Sequence, residues 1–189
     1  SGPGPVGYWR FEEQTGTTAY DLSGNFNNGT LTGVPEWSAT GKVGGALLFD
    51  GTNDFVTVAD NSDFDFDTGD FTINAWVYLK QYYDYQAIFS TQGGCWMVQE
   101  VSQKLRFYNC GGVLYSSTND IPLNTWVFIS IIRSDDDFTT YFNTSYENSV
   151  NVSGQSVNGT ADLYLGRLDS RDDFYWHGLI DEAKVYKYA

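Results

Sequence analysis

Short apolar runs recur along the chain, and almost none has the spacing of an amphipathic helix. The clearest is FTINAWVYL (71–79), in which every odd-numbered residue is apolar and would face one side of a strand. Clusters of Gly, Asn, Asp and Ser separate the runs, as turns separate strands. Many short strands with frequent turn signals are typical of an all-β sandwich or barrel, so we predict an all-β fold.

The even-numbered face of the same run carries Thr72, Asn74, Trp76 and Tyr78. Polar and aromatic side chains on one face of a strand fit a solvent-filled groove as well as a packed surface. Two interpretations follow. Either this face is an open groove, or Trp76 and Tyr78 pack beneath a loop.

Length and composition indicate one globular domain without a membrane span. The 189 residues are 41% hydrophobic and 17% aromatic, too apolar for disorder. No apolar run approaches the roughly 20 residues that cross a bilayer. A net charge of −14 argues against nucleic acid and anionic membranes as partners. We expect residues 1–6 to be a linker or cloning scar and residues 7–189 to form the domain.

The two cysteines sit symmetrically in GGCWMVQEVSQKLRFYNCGG, around Ser102 and Gln103. A two-residue turn at that centre would place Val101 opposite Lys104 and, further out, Cys95 opposite Cys110. Directly opposed cysteines can be close enough for a bridge, so a structural disulfide is predicted, with two free buried thiols as the alternative. A disulfide implies an oxidising compartment and therefore a secreted or surface protein.

Catalytic motifs are missing from the sequence. It contains no GxSxG, HExxH, P-loop or dinucleotide fingerprint. The single histidine, His177, follows three aromatic residues and is more typical of a packed or rim residue than of a general base. The acidic clusters fall in apparent loops. We therefore predict no catalytic residues and no enzyme activity.

Four segments, in this order, resemble the laminin-G-like domains of the concanavalin A-like jelly-roll family: YWRFEEQTGTTAYDLSGNFNNGTLTG, GGALLFDGTNDFVTV, FTINAWVYL and GLIDEAKVY. The resemblance runs from about Gly7 to Tyr186. It implies a two-sheet antiparallel jelly-roll sandwich whose first and last strands lie side by side. Most such domains are non-catalytic and bind glycans or proteins. The ExDxxE strand of related glucanases is absent here.

The loop DLSGNFNNGT (21–30) is rich in oxygen ligands and glycine. The family resemblance implies a structural Ca²⁺ where this loop meets the final strand, and Ca²⁺ takes six to eight oxygen ligands. The expected ligands are Asp21, Asn25, Asn28, Gly51 and Asp181, with Glu12 as a lesser candidate. The alternative is that Asp21 and Asn25 form Asx-turns and that Asp181 caps backbone amides.

Aromatic residues in two loops are candidates for ligand binding, since sugar C–H faces stack on aromatic rings. We expect at least one of Tyr82, Tyr83 and Tyr85 to be exposed. The remaining candidates lie in the loop 167–176 or, by resemblance, near a concave face: Arg171, Asp173, Tyr175, Trp96 and Tyr115. The alternative is that aromatic residues such as Phe174 and Trp176 close the ends of the core.

Three functions remain open. The first is a non-catalytic carbohydrate-binding or adhesion module of a secreted, cell-surface or virion-surface protein, with a structural Ca²⁺. The second is a structural or assembly domain of a viral or cell-surface fibre that contacts protein rather than glycan. The third is a glycan-active hydrolase or lyase.

Overall fold

A computed structural model describes residues 2–91, 96–109, 111–158, 161–168 and 174–189. It confirms the all-β prediction. The strands that these residues form are, in chain order, β1 Gly7–Trp9, β2 Thr18–Ala19, β3 Gly29–Thr32, β4 Glu36–Ser38, β5 Ala46–Asp50, β6 Phe55–Val58, β7 Phe71–Leu79, β8 Gln86–Thr91, β9 Trp96–Val101, β10 Lys104–Asn109, β11 Gly112–Asp120, β12 Trp126–Ser134, β13 Asp137–Phe142, β14 Ser145–Asn151, β15 Leu163–Leu165 and β16 His177–Tyr186.

The strands form two antiparallel sheets, as in a jelly-roll sandwich. Sheet A has the order β14-β13-β12-β7-β16-β5-β4, and β1 also pairs with β16. Sheet B has the order β11-β10-β9-β8-β15-β6-β3-β2. The first and last strands are therefore neighbours, as the resemblance implied, and the amide of Val6 extends their pairing by donating to the carbonyl of Val185 at 2.7 Å.

The core lies between the sheets, and strand β7 shows how the sequence builds it. All five odd-numbered residues of β7 are fully buried, whereas Asn74, Trp76 and Tyr78 on the other face are half-buried. Large aromatic side chains fill the interior, including Trp9, Trp96, Phe107 and Trp176. The period-2 pattern of the sequence thus predicted which face of β7 meets the core.

The β9–β10 hairpin has the predicted register. Ser102 and Gln103 both have positive φ, at 52° and 74°, as the two central residues of a type I′ turn require. Val101 pairs with Lys104, and the described ladder continues outward to Trp96 opposite Asn109.

Two segments depart from regular strand geometry. The segment 60–70, between β6 and β7, contains a 3₁₀ turn at Ser62–Phe64. In β16 the register shifts between Asp181 and Lys184, where Glu182 has a positive φ of 50°. Glu182 therefore lies beside Asp181 on the outer face of the sheet, where Tyr8, Arg10 and Lys184 bind its carboxylate and bury it. Ile180 and Ala183 face the core. Among the described residues there is no helix long and apolar enough to cross a bilayer.

Candidate functional site

A row of side chains crosses the outer face of sheet A on five neighbouring strands. Directly opposed residues link β12 to β4 in the order Trp126, Tyr78, Leu179, Leu48 and Glu36. Opposed residues project from the same face of a sheet, and four strand spacings make this row roughly 19 Å long. The rings of Tyr78 and Trp126 pack together with centroids 5.5 Å apart. The row therefore offers an extended floor that is aromatic at one end and acidic at the other.

A second row, at the end of the strands, supplies polar groups. His177 pairs with Asp50 of β5, and its carbonyl accepts a hydrogen bond from the amide of Lys80 at 3.0 Å. Tyr83 stacks on the His177 ring, with centroids 5.6 Å apart and planes 13° from parallel. Burial and the neighbouring Lys80 lower the pKa of His177, so its ring is neutral at physiological pH.

Two adjoining hollows follow these rows, and together we name them the outer groove. The first, of about 470 Å³, is lined by Val34, Glu36, Leu48, Phe49, Asp50, Asn53, Asp54, Lys80 and His177. The second, of about 390 Å³, is lined by Ser38, Thr40, Gly41, Leu48, Tyr78, Lys80, Trp126 and Leu179. Leu48 and Lys80 border both hollows, so one elongated ligand could contact the two.

One carboxylate of the groove is committed to the backbone. Asp54 accepts hydrogen bonds from the amides of Val34 at 2.7 Å and Asp50 at 3.0 Å, one on each oxygen. Burial raises the pKa of Asp54. This carboxylate holds the turn after β5, whereas Glu36 and Asp50 remain exposed.

Both interpretations of the even-numbered face of β7 hold, at different positions. Tyr78 lines the outer groove. Trp76 packs beneath the loop that precedes β5, with the ammonium of Lys42 4.6 Å from its ring centroid. Asp181 pairs with Trp76 and is covered by the same loop, so it is fully buried on the outer face of the sheet.

Asp181 and Glu12 hold the loop 41–45 from two sides. One oxygen of Asp181, Oδ2, accepts from the amide of Val43 at 2.8 Å, while Oδ1 is buried without a partner. Glu12 accepts from the amide of Gly45 at 3.0 Å. Burial raises the pKa of Asp181 to about 6. The loop is too tight for a larger residue at Gly41, because an added Cβ would lie 1.9 Å from the carbonyl oxygen of Gly45.

Asp21 organises a different network. Its two oxygens accept hydrogen bonds from the amides of Tyr8, Ser23 and Asn27 and from the hydroxyl of Ser23, at 2.7–2.9 Å. The side chain of Asn28 accepts from the Asp21 amide at 2.9 Å. This is the Asx-turn pattern that the sequence left as the alternative.

The remaining loop candidates also bind protein groups. Asn25 donates to the carbonyl of Val6 at 3.2 Å. Gly51 adjoins His177, where an added Cβ would lie 2.8 Å from the His177 Cβ, and it has a positive φ of 78°. His177 and Asp181 are four residues apart on β16, roughly 13 Å.

The structure does not bring the five expected calcium ligands together. Strand β1 separates Asp21 from β16, since Trp9 pairs with Asp21 on one side and with Ala183 on the other. Asp181 instead shares its loop with Glu12. No group of three or more His, Cys, Asp or Glu side chains in the described ranges could hold a metal ion. Any cation site at Asp181 would depend on main-chain carbonyls.

The tyrosines of the loop 81–86 divide between core and surface. Tyr82 packs against the core and donates its hydroxyl to the carbonyl of Ile121 at 2.8 Å. Tyr83 and Tyr85 are 43% and 40% exposed, so the expectation of at least one exposed tyrosine is confirmed. Tyr83 stacks on His177 at the groove, whereas Tyr85 stacks on Phe174 with centroids 4.8 Å apart.

Three other ligand candidates are buried, which corrects the idea of an exposed platform there. Trp96 and Tyr115 lie in the main core, and burial raises the pKa of Tyr115 to about 12. Tyr175 packs with Phe55 and Tyr164. Side chains with large apolar surfaces are most stable between the sheets, and the strands carrying Trp96 and Tyr115 turn them inward. Arg171, Asp173 and the predicted Cys95–Cys110 pair lie outside the described residues.

Sequence reasoning did not select Trp126, Lys80, Glu36 or Leu48. A partial signal existed, since TWVFISIIR reads as a strand and Tyr78 was already placed on the non-core face of β7. The order of strands in sheet A was needed to align them.

Comparison with known proteins adds the fold family. Residues 50–189 match the model of the concanavalin A-like lectin/glucanases superfamily. No protein of curated function matches the sequence.

Among solved structures, the binding domain of Paraclostridial Mosquitocidal Protein 1 superposes with a TM-score of 0.81 at 17% identity, covering 98% of this chain and 49% of that one. Domain 4 of AbnA, an extracellular arabinanase from Geobacillus stearothermophilus, was solved in complex with arabinotriose. It superposes with a TM-score of 0.78 at 20% identity, covering 98% of this chain and 93% of that one. A structure of botulinum neurotoxin type C, whose cell entry depends on two ganglioside molecules, superposes with a TM-score of 0.73 at 13% identity. The match covers 98% of this chain and 48% of that one. The chain thus spans about half the length of the toxin structures. At these identities the similarity establishes the fold.

Proposed function

The chain belongs to the concanavalin A-like lectin/glucanase superfamily, and from that premise we propose that it is a non-catalytic carbohydrate-binding module. The observation that carries this proposal is the outer groove. Its aromatic floor at Tyr78 and Trp126 suits the C–H face of a sugar, and Glu36, Asp50 and Lys80 can bind hydroxyl groups along its length.

The similar structures support a binding role without specifying the ligand. The arabinanase domain was solved with arabinotriose, and the botulinum toxin interacts with gangliosides. The arabinanase is extracellular and the neurotoxin depends on gangliosides to enter cells, so we infer a secreted or surface location for this chain. A non-catalytic role also fits Asp54, whose two oxygens bind backbone amides.

Trp126→Ala tests the proposal. Binding to a panel of linear oligosaccharides is measured by titration calorimetry, and circular dichroism checks the fold. The variant should bind the best saccharide about tenfold more weakly, because truncating one aromatic anchor typically removes more than 1 kcal/mol of binding energy.

Tyr146→Ala is the matched control. Tyr146 is an exposed aromatic residue on the same sheet, in β14, roughly 16 Å from Trp126 by strand spacing. Its truncation should leave the affinity within about twofold. If no saccharide binds, or if a folded Trp126→Ala protein binds as tightly as the parent, the groove is not a carbohydrate site.

A protein-binding role has one observation in its favour. Phe26 is 84% exposed and has a positive φ of 63°, in the loop that Asp21 holds in place. A rigid loop that presents an apolar ring to solvent is suited to insertion into a protein pocket. Under this alternative, in which the chain is a fibre or assembly domain, light scattering should detect self-association of the parent protein. Phe26→Ser would abolish that self-association and leave saccharide binding intact.

We also propose a structural Ca²⁺ beneath the loop 41–45, held by Asp181, Glu12 and main-chain carbonyls of the loop. The fit is supported by the buried, unpartnered Oδ1 of Asp181 and by the oxygen of Gly45 that lies against Gly41. Ca²⁺ binds carboxylate and carbonyl oxygens. A bound cation would offset the cost of keeping the buried Asp181 charged.

A further inference from the structure

Acidic residues outnumber basic residues along the outer groove. Two exposed carboxylates, Glu36 and Asp50, line the first hollow, and a third, Asp54, lies behind them. Lys80 is the one ammonium group among the lining residues of the two hollows. His177 adds no charge at neutral pH. The groove is therefore anionic, like the chain as a whole at −14.

The shape of the groove favours a chain-like ligand. The aromatic end, at Trp126 and Tyr78, and the acidic end, at Glu36, are separated by a row roughly 19 Å long. Leu179 and Leu48 form the apolar middle of this row. A ligand that uses both ends must be extended, must be apolar on one face, and must present hydroxyl donors to carboxylates at its far end.

We propose that the outer groove takes an uncharged, linear saccharide and rejects acidic saccharides such as uronates and sialylated glycans. This rests on the proposed carbohydrate-binding function. Sugar hydroxyls donate hydrogen bonds to Glu36 and Asp50, which bind them as acceptors. A sugar carboxylate at the same place meets like charge at close range without a matching pair of cations. Repulsion from two such groups weakens binding on the order of tenfold.

The test compares saccharides of identical linkage that differ only at C6, which carries either a primary alcohol or a carboxylate. Galactan, mannan and cellulose oligomers are each paired with the same oligomer oxidised to the carboxylate at C6. Affinities are measured by calorimetry at about 20 mM and about 500 mM NaCl. We expect the bound neutral member to be preferred tenfold or more at low salt, with a smaller preference at high salt, because exposed charges are screened.

Substitutions test whether Glu36 and Asp50 cause the preference for neutral saccharides. In the double variant Glu36→Gln, Asp50→Asn, the ratio of neutral to acidic affinity should fall at least threefold. The asparagine keeps an acceptor for the amides of Thr52 and Asn53, which Asp50 binds at 2.8 and 3.2 Å. Asp136→Asn is the control. This exposed residue follows the end of β12, roughly 26 Å along the strand from Trp126, and its loss should leave the ratio unchanged.

The outcomes separate the two proposals. Preference for the acidic member of a pair overturns the charge inference and leaves carbohydrate binding intact. A neutral preference that the double variant does not reduce overturns the assignment to Glu36 and Asp50. Failure of every pair to bind overturns the proposed function itself.

Discussion

Asp181 accepts a hydrogen bond from the amide of Val43, 2.8 Å away and 138 residues earlier in the chain, while its second oxygen is buried without a partner. A half-satisfied buried carboxylate is costly, because the charged group has lost water without full replacement. Burial accordingly raises the pKa of Asp181 to about 6. This contact joins the last strand to the loop before β5, at the place where we propose a structural Ca²⁺.

Calcium removal is predicted to destabilise the protein. With Ca²⁺ at about a hundred times its Kd, the ion contributes roughly 2.7 kcal/mol, so EDTA should lower Tm by several degrees. Asp181→Asn should melt at the same temperature with and without Ca²⁺, because it lacks the charged ligand. Asp21→Asn is the control and should keep the response to Ca²⁺. Equal melting of the parent protein with EDTA and with excess Ca²⁺ would contradict the site.

Asp21→Ala is predicted to destabilise the fold independently of calcium. The substitution leaves the amides of Tyr8 and Asn27 without their acceptors. Hydrogen bonds to charged groups contribute about 1.5–3 kcal/mol each and do not add fully, so we expect a loss of about 3 kcal/mol in urea unfolding. Asp60→Ala, at an exposed acidic position, should change the free energy of unfolding by less than about 0.5 kcal/mol. A loss of less than about 0.5 kcal/mol for Asp21→Ala as well would show that the Asp21 network is not stabilising.

Glu100 is predicted to make stability depend on pH. It is buried, and burial raises its pKa although Gln103 and Gln86 donate hydrogen bonds to it. The folded protein thus binds this proton more tightly than the unfolded chain, so the contribution of Glu100 to stability rises as pH falls through the folded pKa. The free energy of unfolding of the parent minus that of Glu100→Gln should be larger at about pH 4.5 than at about pH 7.5. A difference that is flat or falls towards acid pH would reverse this sign.

The cysteines are predicted to be bridged. The described register of β9 and β10 runs to Trp96 opposite Asn109, and the next residues outward along the sequence are Cys95 and Cys110. Intact-mass analysis after iodoacetamide should show no alkylation without reductant and two additions with it. Alkylation of the untreated, denatured protein would instead support the free-thiol alternative.

Local patterns predicted much of the fold. Alternation placed all five odd-numbered residues of β7 in the core, and the symmetry around Ser102 and Gln103 predicted a turn that the positive φ angles confirm. Both signals act over a few residues: side chains alternate along a strand, and a two-residue turn sets the register of its hairpin.

The candidate site was predicted less well, because the sequence does not show whether an aromatic residue in a strand faces the core or the solvent. Trp96 and Trp126 each begin a strand, yet Trp96 is buried between the sheets and Trp126 lines the outer groove. Asp21 and Asp181 show the same difficulty. The sequence identified both as acids with a structural role, and the structure places them in separate hydrogen-bond networks.

The sequence alone predicted the all-β class, the face of β7 that meets the core, the register of the β9–β10 hairpin and the family. Tertiary structure decided which strands lie side by side, and so aligned Trp126, Tyr78, Leu179, Leu48 and Glu36 from five strands that are scattered along the chain. It also decided that Glu12, rather than Asp21, shares a loop with Asp181. The physical reason is that strand order and loop docking depend on how whole sheets bury their apolar faces, and contacts between distant residues follow from that packing.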